Sequence, residues 1–147
     1  MQVRLMTAAD RKAVIPMVEQ FYHSPAVDHA VPHEIINRAF ADAVGENPHV
    51  NGFVMEEDGQ AVGFAYLTYF YSSEVAGNVI MIEELFVKEE YRSKGYGQQF
   101  MDWMYAAYPD TVRFRLEITP TNRAANLYRR NGFRDYPYGQ MVMDREE

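Results

Sequence analysis

Apolar residues recur at two spacings along this chain, and the switches between them mark out its strands and helices. Residues 3–6 alternate as a short strand. Thr7, with Asp10 three residues on, forms a capping-box variant. Val14, Met17, Val18 and Phe21 then share one helical face, so a first helix is predicted over residues 8–22, kinked or restarted at Pro16. Pro25 and Pro32 bound a loop over residues 23–31. A second helix follows, with Ile35, Ile36, Ala39, Phe40, Ala43 and Val44 as its buried stripe and Gly45 as its stop. Residues 50–56 and 60–72 flank Asp58-Gly59, the strongest hairpin signal in the chain. A further strand is predicted over residues 78–87, and a helix from about residue 98 to just before Pro109. Strand 111–118, a short helix over 123–130 ended by Asn131-Gly132, and two last strands at 133–136 and 140–143 complete the order β-α-α-β-β-β-α-β-α-β-β. Such an order suits a mixed sheet, within the α/β class, with helices on both faces.

The chemistry concentrates between Met81 and Met104. An apolar strand interrupted by Glu83 and Glu84 leads through a polar connector carrying Arg92, Lys94, Gly95 and Gly97 into an amphipathic helix. The free N–H groups and positive dipole end of a helix start, beside glycines that admit close approach, make an anion site. Gly95-Tyr96-Gly97 begins like a dinucleotide fingerprint, with Glu117 placed to hold a ribose. The third glycine position, however, is Phe100, and a polar stretch separates the strand from the first glycine. A P-loop is excluded, since no Gly-Lys-Ser/Thr follows at the required spacing.

Composition narrows the partners. At 147 residues one domain is expected, and a net charge of −7 argues against nucleic acid and favours a cationic small molecule. The absence of cysteine removes thiolate metal sites and a Cys nucleophile, and it is compatible with a reducing compartment. No apolar run approaches membrane-spanning length, so a cytoplasmic protein without a membrane partner is expected.

Arg92-x-x-Gly95-x-Gly97 resembles the Gln/Arg-x-x-Gly-x-Gly/Ala loop with which the GNAT superfamily of N-acetyltransferases cradles the pyrophosphate of acetyl-CoA. A second block, from Asn122 to Phe133, resembles the family's Asn-x-x-Ala-x-x-Leu-Tyr-x-x-x-Gly-Phe helix, with Leu127-Tyr128 and Gly132-Phe133 at the family's spacing. The family's Asn position holds Thr121, and Asn122 comes one residue late, so either residue is a candidate for that role. Glu-Glu-Leu-Phe-Val in the strand adds a hint of the diamine and polyamine subgroup.

The resemblance implies a mostly antiparallel central sheet and acetyl-CoA as co-substrate. It implies a cofactor loop of Arg92, Ser93, Lys94, Gly95, Tyr96, Gly97 and Gln98, and a strand Leu85, Phe86, Val87 lying along the pantetheine arm. It further implies Glu83 as general base, Tyr128 as general acid and Asn122 as a cofactor contact. A carboxylate in an apolar strand is partly desolvated, which raises its pKa toward neutrality. Strict alternation sends Glu83 and Glu84 to opposite faces, although a bulge would make Glu84 the candidate. The plainer reading pairs both with Arg113 or Arg115. The expected acceptor is a small-molecule amine, in a pocket built from the loop before Pro32, Tyr22, the strand around Tyr69 and the turn near Tyr138; a homodimer is compatible with this reading. His29 and His33 have a metal-ligand spacing but straddle Pro32, and no metal is expected. Two other readings are a binding module that holds acyl-CoA without turnover and a nucleotide-dependent oxidoreductase.

Overall fold

A computed structural model describes residues 1–145. Five strands, β1 (Gln2–Leu5), β2 (Val50–Glu57), β3 (Gln60–Ser72), β4 (Gly77–Val87) and β5 (Arg113–Leu116), lie in sequence order across one sheet. The first four pair antiparallel and β5 joins β4 in parallel, so the sheet is mixed and mostly antiparallel as expected. Asp58 and Gly59 both take positive φ, 51° and 77°, the requirement of the two-residue turn that joins β2 to β3.

Helices α1 (Arg11–Tyr22) and α2 (His33–Val44) cover one face, packing Val14, Met17, Val18, Ile36 and Phe40 onto Val54, Phe64 and Phe86. On the other face α3 (Tyr96–Ala107) buries Phe100, Met101 and Met104 against Phe53, Leu67, Ile80 and Ile82. The short α4 (Ala125–Arg130) adds Tyr128 to that second core. The first turn before α1 is a 3-10 segment, Ala8–Asp10, whose Asp10 carboxylate accepts the Thr7 N–H at 2.7 Å. Pro16 stands inside α1 without ending it. Ile35, expected in the buried stripe, is 45% exposed.

Two expectations fail. Residues 133–136 and 140–143 are not strands, because none of their backbone groups meets a partner strand among the described residues. Nor do Glu83 and Glu84 point to opposite faces. Leu67 pairs with Ile82 and Tyr66 with Glu84, which leaves Glu83 as the extra residue of a bulge. Before the bulge Ile80 and Ile82 face α3; after it Leu85 and Val87 do, and Glu84 and Phe86 turn toward α1. Glu83 stays on the α1 side as well, accepting a hydrogen bond from the Thr68 hydroxyl at 2.9 Å. One extra residue thus gathers both carboxylates.

Candidate active site

The parallel pairing of β4 with β5 covers only Val79–Ile82 against Arg113–Leu116. Beyond it the chains part, so Glu83 to Val87 keep an edge with no backbone partner among the described residues. The wedge opens into a cleft of about 770 Å³, whose walls include Leu85, Phe86 and Val87 on one side and Leu116 to Thr119 on the other. An extended ligand can satisfy that edge as a strand would.

At one end the cleft meets the start of α3. Ser93 and Gly95 take positive φ, 62° and 83°, which turns the connector so that the helix begins at Tyr96 with no side-chain cap. The first helical bond runs from Gln99 N–H to the Gly95 carbonyl, so the N–H groups of Tyr96, Gly97 and Gln98 have no carbonyl to meet. Around Gly95 an added Cβ would meet nothing within 4 Å, which leaves room for a ligand. At Gly97 the same atom would sit 2.9 Å from Leu127 Cδ2, so that glycine lets α4 pack against α3. Arg92 anchors its Nε on the Val87 carbonyl at 2.8 Å, with its guanidinium over the Phe86 ring. Burial and the neighbouring Arg123 pull its pKa below the ordinary value. Neither arginine is in a salt bridge with a described residue, and both line the cleft. Two cations in no salt bridge with a described residue, beside a bare helix start, fit a pyrophosphate.

Arg92, Ser93, Gly95, Tyr96, Gly97 and Gln98 all reach this cleft; Lys94 does not, and lies over the Tyr91 ring. The Gln98 side chain is spent on Asp102 and Asn131, leaving its main chain to the cleft. Asn122 faces the cleft while its Oδ1 caps the Ala124 N–H at 2.8 Å. Thr121 instead donates to the Pro25 carbonyl at 3.4 Å.

The other end is built from side chains. Phe21, Tyr22 and residues 24–29 wall it, and the Thr119 hydroxyl donates to the Pro25 carbonyl, tying this loop to the segment that follows β5. Glu83 is exposed into the cleft, so the desolvation expected of it falls on Glu84. Glu84 is 6% exposed, and burial pushes its carboxyl up to about 7, with the Glu83 charge adding to the rise and the Tyr22 bond opposing it. Its Oε1 accepts the Tyr22 hydroxyl, while Oε2 and the buried Tyr66 hydroxyl have no partner among the described residues. Burial and Glu84 together raise the Tyr22 phenol above its usual range. Arg113 bonds Glu74 and Arg115 lies over Tyr136, so the pairing of these arginines with Glu83 or Glu84 is not formed.

Tyr128 lines the cleft from α4, 7% exposed, its hydroxyl without a hydrogen-bond partner among the described residues and pushed up to about 12 by burial. Tyr69 is not near this site: its hydroxyl bonds that of Tyr108 at 2.8 Å beside the end of α3. Tyr138 lies beyond β5, 62% exposed. The acceptor end therefore lacks two of its expected walls. His29 meets Asp28 and His33 meets Glu19, and among the described residues no cluster of three metal-ligating side chains occurs. Arg123 and the Tyr22–Glu84 bond escaped the sequence reading. Only Arg123 left a signal there, as a cation adjoining Asn122.

The sequence profile of the Acetyltransferase (GNAT) domain matches residues 48–135. The thialysine N-epsilon-acetyltransferase of Sus scrofa is 33% identical over 106 residues, 65% of this chain and 62% of its own length. The uncharacterized N-acetyltransferase YhfO of Bacillus subtilis (strain 168) is 27% identical over 140 residues, 92% of this chain and 91% of its own. Among solved structures, AAC(6')-Iy in complex with the bisubstrate analog CoA-S-monomethyl-acetylneamine superposes with a TM-score of 0.77 at 17% identity, over 98% of this chain and 97% of that one. The dinucleotide reading falls with these matches. With its cleft and its profile in agreement, the chain belongs to the GNAT family and is an N-acetyltransferase that uses acetyl-CoA as co-substrate.

Proposed function

We propose that this enzyme acetylates the primary amino group of a small cationic molecule, with Glu83 as base. The observation that carries the proposal is the bulge in β4, which brings Glu83 to the acceptor end of a cleft whose other end is cationic, with Glu84 buried behind Tyr22. An ammonium group is drawn to the first end and an anionic cofactor to the second. Acetyl-CoA supplies the acyl group and the thiolate that leaves.

Arg92, Arg123 and the free N–H groups of α3 hold the phosphates. The open edge at Leu85 to Val87 aligns the pantetheine arm, and a main-chain N–H of Leu85 or Phe86 receives the developing oxyanion. Asn122 contributes at the rim. Glu83 takes the ammonium proton, directly or through one water, so that the neutral nitrogen attacks. Tyr128 points its hydroxyl at the departing sulfur. Because burial keeps that phenol neutral, it acts first as a hydrogen-bond donor to the growing thiolate.

Reach favours Glu83; the raised pKa favours Glu84, whose route to the cleft is the Tyr22 hydroxyl. In that second reading the amine proton passes to Tyr22 O as the Tyr22 proton passes to Glu84. Tyr22→Phe separates the two: it should leave turnover within about threefold if Glu83 is the base, and abolish most of it if Glu84 is.

The wider proposal is tested by following CoA release with a panel of amines that includes thialysine, diamines, aminoglycosides and peptide N-termini. Turnover with small primary amines is expected. Tight CoA binding with no transfer to any of them would instead mark a binding module, and preference for a peptide terminus would replace the acceptor class.

A further inference from the structure

The bulge in β4 leaves two neighbouring carboxylates on one face of the sheet, and a hydroxyl from a different element meets each of them. Tyr22, on α1, donates to Glu84. Thr68, on β3, donates to Glu83 Oε1 at 2.9 Å. Glu84 is buried, so close packing helps to fix where it lies. Glu83 has no such support. It is exposed and, as the extra residue of the bulge, has no residue opposite it on β3. A glutamate in that setting can swing among several rotamers. Among the described residues, the Thr68 hydroxyl is the one side-chain hydrogen-bond partner that Glu83 has.

Thr68 is suited to that contact. It follows the buried run of residues 62–67 and pairs with Val50 of β2 on one side and Met81 of β4 on the other, so its backbone is held within the sheet. A β-branched side chain is stiff at χ1, which gives its hydroxyl a fixed direction. Glu83 lines the cleft and Thr68 does not. With Oε1 tied back to β3, Oε2 is the oxygen left for the acceptor.

We propose, resting on Glu83 as the base, that Thr68 is a positioning residue of the transfer reaction, whose hydroxyl holds Glu83 so that Oε2 faces the acceptor nitrogen. The ammonium proton passes to Oε2, and the freed nitrogen lone pair forms the bond to the acetyl carbon. The C–S bond then breaks, its electron pair leaving with the CoA thiolate. Thr68 neither gives nor takes a proton in this sequence. Without its hydroxyl the carboxylate must find the productive rotamer in each turnover, and a misplacement of about 1 Å can cost about a hundredfold in rate.

Thr68→Val is isosteric, keeps the β-branch and suits a strand, so fold and CoA affinity should stay as they are. Its kcat should fall by about tenfold, with KM for the amine changed by less than about threefold. Thr68→Ala, which also lacks the hydroxyl, should behave alike. Thr68→Ser restores the hydroxyl on a less stiff side chain and should return to within about threefold of the native enzyme. The loss in Thr68→Val should shrink at alkaline pH, where the amine arrives neutral and needs no base. The titratable groups around Glu83 are Glu84 on β4, Tyr22 on α1, Asp28 and His29 in the loop, and Glu117 after β5. These are common to native and variant, so the ratio of the two profiles reports the hydroxyl. A double-mutant cycle completes the test: in a Glu83→Gln background, Thr68→Val should cost less than about a further twofold, because the carboxylate it positions is gone. Native activity in Thr68→Val beside a disabled Glu83→Gln would overturn the proposal and leave Glu83 as the base, whereas a fully active Glu83→Gln would overturn both. An equal loss from Thr68→Val in the two backgrounds, or no recovery in Thr68→Ser, would make Thr68 a structural residue and overturn the proposal as well.

Discussion

The two ends of the cleft are made of different material. At the cofactor end the ligand would meet backbone: the start of α3, the positive-φ turn at Ser93 and Gly95, and the unpaired edge of β4. At the acceptor end it meets side chains of Tyr22, Glu83 and the loop over residues 24–29. A backbone site depends on local conformation, whereas the side-chain site depends on a bulge and on contacts between residues as distant as Tyr22 and Glu84. The first end should break when a glycine is changed. The second should respond to charge while cofactor binding stays as it was.

The largest expected effect tests the backbone end. Gly95→Val places a β-branched side chain at φ 83° and fills the space left for phosphate, so the dissociation constant for CoA, measured by calorimetry, should rise by about a hundredfold. An unchanged constant in a folded variant would remove the loop from the site.

Next is the pH dependence of stability, which probes the side-chain end. Glu84 has a folded pKa of about 7 against an ordinary value of 4.5, so between these the native state binds the extra proton. The contribution of Glu84 to stability is then greatest below pH 4.5 and is lost as pH rises through 7, by at most about 3.5 kcal/mol at ~1.4 kcal/mol per pKa unit. Glu84→Gln should flatten that part of the curve in denaturant titrations at several pH values. A curve of unchanged slope would mean that Glu84 is not held in this environment.

The smallest effect lies where the ends meet. Tyr128→Phe should lower kcat by about tenfold with the CoA dissociation constant almost unchanged, since the substitution removes only the hydroxyl proposed to face the leaving sulfur. If kcat stays within about twofold, water protonates the thiolate.

The same contrast governs what was legible in the sequence. Arg92, Gly95, Gly97 and the α3 stripe of Phe100, Met101 and Met104 are local signals, and the structure places them as their spacing requires. So is Asp58-Gly59. Alternation along β4 also reads correctly on either side of Glu83, but the bulge arises from the mismatch with Tyr66 and Leu67 on β3, which no local pattern carries. Tyr69 and Tyr138 illustrate a second limit. An aromatic at strand spacing shows that it packs, not on which side or at which end of the sheet, and these two lie at Tyr108 and beyond β5. The strand pattern at residues 140–143 is present, yet a strand also needs a neighbour, and none stands beside it within the described residues.

The assignment of Glu83 as the base is tested most directly by kcat/KM for an amine acceptor across pH, in the native enzyme and in Glu83→Gln and Glu84→Gln. Glu83→Gln should keep its CoA affinity, lose at least about a hundredfold of its activity at neutral pH, and recover part of it at alkaline pH, where the amine is already neutral. Glu84→Gln should remain within about tenfold of the native enzyme. A Glu83→Gln enzyme that is nearly fully active at neutral pH, beside a disabled Glu84→Gln, would contradict the assignment and move the base to the buried carboxylate behind Tyr22.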